Sequence, residues 1–215
     1  MGGPCRLKGG EAAPECTSNF YVRPFVFDGA TWHSVEQCYQ AYKFADPRDR
    51  ERIRRIEPEP REMDNAYGLR VWSEGQRRAR MRPDWDATKV EIMLRAVRAR
   101  YAQNADLAAD LVATGDAELF GGPSTSWKGH DGREWNWSDW NGRIQMLVRE
   151  ELRPDPNAIR WAELAREFDV HMRTEGRSVR CSANALPLPA QKEADEAMAR
   201  AVACRDANTP KGPIV

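Results

Sequence analysis

A chain of 215 residues and 24.5 kDa fits one domain, or one domain with an appendage. Its 33 Lys+Arg balance 33 Asp+Glu, which argues against a protein that grips long nucleic acid through bulk charge and counterion release. No apolar run approaches the roughly 20 residues that span a bilayer, and the segment from Met1 to Gly10 lacks an apolar signal core.

The scattered cysteines (Cys5, Cys16, Cys38, Cys181, Cys204) form no C-x-x-C pair, and their odd number fits no closed disulfide framework. The three histidines (His33, His130, His171) are equally dispersed. These spacings match no metal site, and no cofactor is expected. The expectation is a reduced, cytoplasmic protein without a membrane anchor. The basic side is lopsided, with 27 Arg and 6 Lys.

Residues 1–15, rich in Gly, Pro and Ala, read as a loose, flexible lead-in. Asn19 to Phe27 reads as aromatic extended segments closed by an Asp28-Gly29 turn, with a second short strand at Ala30-Thr31-Trp32. Ser34 with Gln37 three residues on is a capping-box pattern. It predicts a helix running to about Ala45, stopped by Pro47. A charged helix from Asp49 to Ile56 follows, and 61–80 is polar and ambiguous. Asp84 is read as the cap of a helix to about Gln103, with Val90, Met93, Val97 and Tyr101 at helical spacing. Asn104 is read as capping a helix over 105–113, closed by Thr114-Gly115.

A short strand is expected at Glu118-Leu119-Phe120. The Gly- and Trp-rich stretch 121–142 reads as a long functional loop, and Arg143 to Leu152 as a helix. After a Pro-rich linker at 153–156 come two amphipathic stretches, about 159–172 and 190–205. Trp161, Leu164, Ala165 and Phe168 form a docking stripe on the first, and His171 reads as a packing or surface residue. The layout is a lead-in (1–15), a core of 16–152, and a helical extension (153–215) with a disordered tail.

The chemistry concentrates in Ser34 to Phe44. Seven residues nearly complete two helical turns, so Glu36, Gln40 and Lys43 share a face, joined in part by Tyr39. A carboxylate, an amide and an ammonium there can do acid–base or nucleophilic work. A lone Glu and Lys at this spacing are more often a weak surface pair, but the surroundings are unusually aromatic. A lysine between Tyr42 and Phe44 loses solvent, which favours a nucleophilic amine. A second cluster is Arg82-Pro83-Asp84-Trp85. Capping explains Asp84, and Trp85 reads either as core or as a base-stacking ring near a phosphate-binding arginine. Ser18 and Asn19 alone are ordinary turn residues.

Taken in order, these segments resemble the NADAR superfamily of YbiA-like proteins. The resemblance is carried by Ser18-Asn19-Phe20, Pro24-Phe25, Asp28-Gly29, Ser34-Val35-Glu36 through Gln40, Lys43-Phe44 and Arg82-Pro83-Asp84-Trp85. Lys89, Met93 to Ala96, Ala113 to Leu119, Trp127-x-Gly129 and Gly142-x-x-x-Met146 continue it, covering about 16–152.

The resemblance implies a mostly helical, compact α+β domain with a small β-sheet. It also implies an N-glycosidase that cleaves the C1′–N bond of ribose-phosphate or ADP-ribose conjugates. Substrates would be riboflavin-pathway intermediates or ADP-ribosyl-guanine in nucleic acid. It assigns Glu36 and Lys43 as catalytic, with Ser18, Asn19, Tyr39, Gln40, Arg82, Trp85 and Trp127 binding substrate. A catalytically weak nucleotide-binding module is the alternative, and an interaction protein with an incidental match is a third reading. The family histidine after the glutamate is Gln37 here, an amide that cannot shuttle a proton. A family Asp falls on Ser124, and a family G-x-N falls on Trp137 and Asp139.

Overall fold

The computed structural model describes residues 3–76 and 81–180, with side chains to 175. Seven helices and three two-stranded antiparallel ladders make up the described residues, an α+β fold dominated by helix. Among the described residues of the lead-in, 3–15, the chain is not loose. β1 (Arg6–Leu7) pairs with β4 (Leu119–Phe120), and Cys5 and Ala13 are buried. Backbone bonds from Ala13 to Cys5 and from Leu7 to Glu11 close it into a compact loop.

β2 (Phe25–Phe27) and β3 (Ala30–Trp32) form the expected hairpin. Asp28 and Gly29 both take positive φ at its turn (52° and 71°), the conformation for which Asp and Gly are suited. α1 (Val35–Tyr42) follows, and all eight of its residues are buried. It is a central helix surrounded by α2 (Pro47–Arg54), α3 (Asp64–Gly75) and α4 (Trp85–Gln103). Pro47 separates the first two helices, but it does so by opening α2 at its first turn under an Asp46 cap, where its missing N–H costs nothing. α3 occupies part of the stretch that read as ambiguous.

Asp84 precedes α4 but does not cap it. Its carboxylate is taken by Arg82 (2.5 and 2.7 Å), a stronger charge-assisted partner than a backbone amide. Asn104 likewise lends α5 (Ala105–Val112) no side-chain cap; its amide donates to Pro24 O and Arg100 O.

The expected loop at 121–142 is largely structured. β5 (Ser126–Lys128) and β6 (Glu134–Asn136) pair as a hairpin. α6 (Trp137–Leu152) starts six residues earlier than Arg143, capped by Asn136 accepting from Asp139 N (2.8 Å). Its first turn buries Trp137 and Trp140, which broke the expected period because they serve the core from a segment read as a loop.

α7 (Ala158–Arg180) lies against α4 and α6. Leu164 and Phe168 of the stripe are buried, while Trp161 is 43 % exposed. Phe168 packs on Trp140 at 4.8 Å. The stretch 190–205 lies outside the described residues.

Candidate active site

The site is built around α1. Ser34, in extended conformation, accepts from Gln37 N (3.1 Å) and starts the helix. The reciprocal arm of the capping box is displaced by one residue: Gln37 Oε1 accepts from His33 N (2.7 Å) rather than Ser34 N. The rest of Gln37 faces away from Glu36. Its amide lies between 2.9 and 3.1 Å from the carbonyls of Ile53, Arg54 and Ile56, tying α1 to the end of α2. An amide in this role has no proton chemistry to perform, so the departure from histidine alters a buttress.

Glu36 is fully buried. Its backbone N–H donates to Asn19 O (2.9 Å), and its Oε1 accepts from Gln40 Nε2 (2.5 Å). Its Oε2 has no partner. Burial raises its pKa above the ordinary carboxylate value; the Gln40 hydrogen bond and the Lys43 charge pull it back. Lys43 ends α1, buried to 9 % exposure, with Nζ 5.6 Å from the Tyr39 ring. Its carbonyl accepts from Arg82 N (2.7 Å). The structure therefore brings Glu36, Gln40, Lys43 and Tyr39 together.

Asn19 is placed beside them by two ties. Its carbonyl holds Glu36 N, and its Nδ2 donates to Asn141 Oδ1 on α6 (3.0 Å). Its Oδ1 is buried and without a partner. Ser18 Oγ accepts from Phe20 N (3.2 Å), shaping the turn. Behind it, buried Arg100 donates to Ser18 O (2.9 Å) and Cys16 O (2.6 Å).

An aromatic wall flanks this polar centre. Tyr39 sits between Trp85 (4.9 Å) and Trp137 (5.3 Å), and Trp127 lies 5.2 Å from Trp137. Burial, then the charges of Glu36 and Asp86, push the Tyr39 hydroxyl well above its usual pKa, so it stays protonated. Lys89 Nζ is 3.9 Å from the Trp127 ring centre and 2.8 Å from Asp86 Oδ1. Trp85 thus belongs both to the core and to the wall. Arg82 is buried, and two of its N–H groups are held by Asp84.

Sequence reasoning missed the parts supplied from a distance. Asn141, Trp137 and the Lys89–Asp86 pair were not assigned to the site. α3 was missed too: a Cβ at Gly75 would meet Gln40 Oε1 at 1.8 Å, and one at Gly68 would meet Phe20 at 2.2 Å. These glycines allow α3 to close over the back of the site. A groove of about 520 Å³ lies where the outer side of α3 meets 123–125, lined by Phe20, Asn65, Leu69, Trp72 and Ser124 among others.

The chain is 38 % identical over 143 residues to a riboflavin biosynthesis protein of Vibrio vulnificus, covering 63 % of this chain and 35 % of that one. It thus spans about a third of that relative's length. It is 33 % identical over 136 residues to the N-glycosidase YbiA of Escherichia coli, covering 63 % of this chain and 79 % of the relative. The NMR structure of E. coli YbiA matches with a TM-score of 0.47 at 28 % identity, over 72 % of this chain and 80 % of that one. The NADAR domain model matches residues 8–153, and the chain belongs to that family.

Proposed function

We propose that this protein is an N-glycosidase, hydrolysing the C1′–N bond of ADP-ribose or ribose-phosphate conjugates. The observation that carries the reading is the buried Glu36 carboxylate, with one oxygen oriented by Gln40 and the other unpartnered, beside a lysine and an aromatic wall. The names of the relatives support it, since YbiA is called an N-glycosidase and the Vibrio protein a riboflavin biosynthesis protein.

When a C1′–N bond breaks, its electron pair leaves with the base nitrogen and positive charge develops at C1′. Glu36 Oε2 stabilises that charge, or takes a proton from the attacking water. The water oxygen then bonds to C1′, and the proton ends on the departing nitrogen. Lys43 supports a second route: the ribose ring opens to a C1′ iminium of the base, the Lys43 amine adds to C1′, the base nitrogen leaves carrying a proton, and water hydrolyses the Lys43–C1′ Schiff base to free the amine and the sugar aldehyde. Trp85 and Trp127 supply flat apolar surface for the base. Asn19 Oδ1, buried and unpartnered, is an acceptor for a sugar hydroxyl donor, with Ser18 shaping that turn. Arg82 is assigned to the phosphate side, where it would have to give up part of its Asp84 pair. A cytoplasmic setting accords with the free, buried thiols of Cys5, Cys16 and Cys38.

The test is direct. The protein is incubated with ADP-ribosylated guanine DNA and, separately, with 5-amino-6-ribosylamino pyrimidine phosphates, and released base is read by mass spectrometry. Turnover of one, absent in Glu36→Gln, supports the reading and names the substrate class. Binding without Glu36-dependent turnover would instead establish the nucleotide-binding module, the reading suggested by Ser124 and Trp137 at divergent positions.

A further inference from the structure

The family match ends at residue 153, yet α7 packs against Trp135 and Trp140, next to the aromatic wall. Glu175 is 1 % exposed, and its Oε1 accepts from His130 N (3.1 Å) in the turn of the β5–β6 hairpin. Its other oxygen lies 3.9 Å from His130 Nε2. A Cβ at Gly129 would stand 2.5 Å from Glu175 Oε1, so a side chain there would displace the carboxylate from its present position. One helical turn earlier, His171 is wedged between Trp135 (4.8 Å) and Trp140 (4.6 Å). Trp127, the backbone partner of Trp135 across the hairpin, packs on Trp137, which in turn packs on Tyr39. The charge of Glu175 also acts on Lys89, the cation seated on the Trp127 ring.

A buried carboxylate is costly unless its bonds are fixed. Glu175 is fixed on the turn of a hairpin that has only three residue pairs of its own. Two-stranded hairpins of this size are marginal without outside support.

We infer that α7 is part of the substrate site, with Glu175 a positioning residue that clamps the β5–β6 hairpin and sets the Trp127 ring on which the base of the substrate rests. The kinetic side of this inference rests on the N-glycosidase reading; the structural side does not.

The experiment measures amide hydrogen exchange and steady-state kinetics on the full chain. In Glu175→Ala, amides of 126–136 exchange about tenfold faster, the scale of one lost charge-assisted bond, while those of α1 are unchanged. KM for whichever of the two substrates the wild type turns over rises several-fold with kcat near wild type. Glu175→Gln, whose amide oxygen can still accept from His130 N, restores both. Unchanged exchange in Glu175→Ala overturns the clamp, and loosened exchange with unchanged KM overturns the substrate role. Should Glu175→Ala not fold, the wild type decides. The 126–136 and 164–175 amides must then open with a common free energy, and a hairpin that stays protected while α7 opens refutes the coupling. Absence of wild-type turnover of both ADP-ribosylated guanine DNA and the 5-amino-6-ribosylamino pyrimidine phosphates refutes the N-glycosidase reading alone, because exchange still reports on the clamp.

Discussion

Replacing Glu36 by Gln separates what this residue does for chemistry from what it does for the fold. The substitution keeps the shape and leaves an oxygen to accept from Gln40 Nε2, which now bonds Oε1 at 2.5 Å. It puts an NH2 where the unpartnered Oε2 lies, at a cost of about 1–3 kcal/mol for an unsatisfied buried donor. Against this stands the removal of a buried charge, whose effective desolvation penalty is several kcal/mol. The net expectation is a variant at least as stable as wild type at neutral pH.

The pH dependence has a definite sign. Burial raises the folded pKa of Glu36, so its contribution to stability is fully present below the unfolded carboxylate pKa. It is lost as pH rises through the folded value. Glu36→Gln should therefore gain melting temperature relative to wild type as pH rises across that window, and below it should lie at or under wild type by the cost of the unpaired NH2. Activity moves the other way: hydrolysis of the ribosylated substrate falls by at least about 10²-fold, about 2.7 kcal/mol of transition-state stabilisation. The assay is base release by mass spectrometry beside a calorimetric melt over pH. A Glu36→Gln enzyme that keeps more than about a tenth of wild-type rate would refute the role of the carboxylate.

Other expectations follow from neighbouring contacts. Lys43→Arg keeps a cation near Glu36 but removes the primary amine; the Schiff-base route requires a loss of at least about 10²-fold and no borohydride-trapped adduct, and near-full hydrolysis would exclude Lys43 as nucleophile. Gln37→His leaves at least one of the carbonyls of Ile53, Arg54 and Ile56 without its donor, costing about 1–3 kcal/mol in denaturant melts. A rise in rate instead would show that this position acts in chemistry. His171 should make stability fall on acidification. Its burial, with Lys89 and Arg133 adding and Asp131 opposing, lowers its pKa from 6.5 to about 4. The unfolded chain thus binds a proton first, and up to about 3 kcal/mol is lost as pH drops through that window. His171→Phe should flatten this dependence, and an unchanged slope would remove His171 as its source.

The chemistry of α1 was legible because its signals are local. The Ser34 cap and the Glu36, Gln40 and Lys43 spacing are properties of one helix, and they survive folding unchanged. α3 was illegible for a physical reason. Its buried face is Tyr67, Gly68, Val71 and Gly75, and half of those positions have no side chain to register in an apolar pattern. The glycines are on that face because Phe20 and Gln40 need the room. Trp137 and Trp140 read as loop tryptophans because the cap that starts α6, Asn136, sits within a run of polar and aromatic residues without helical period. Asn141 reaches Asn19 across 122 positions; no pattern in the chain announces a pair so far apart.

The arginine excess changes meaning with the structure. Arg82, Arg95, Arg100 and Arg149 are all buried, where an ammonium would lack the geometry to serve several acceptors at once. Arg100 spans Cys16 O and Ser18 O, and Arg149 reaches Thr114 Oγ1 and Ala117 O. Arg160 donates to Asp116 O. These guanidinium forks staple backbone turns that have little regular structure to hold them, including the turn that delivers Ser18 and Asn19 to Glu36. Surface solvation therefore accounts for fewer of the arginines than composition suggests. The two lysines at the centre are placed differently: Lys43 lies over the Tyr39 ring, and Lys89 lies over the Trp127 ring while donating to Asp86 Oδ1.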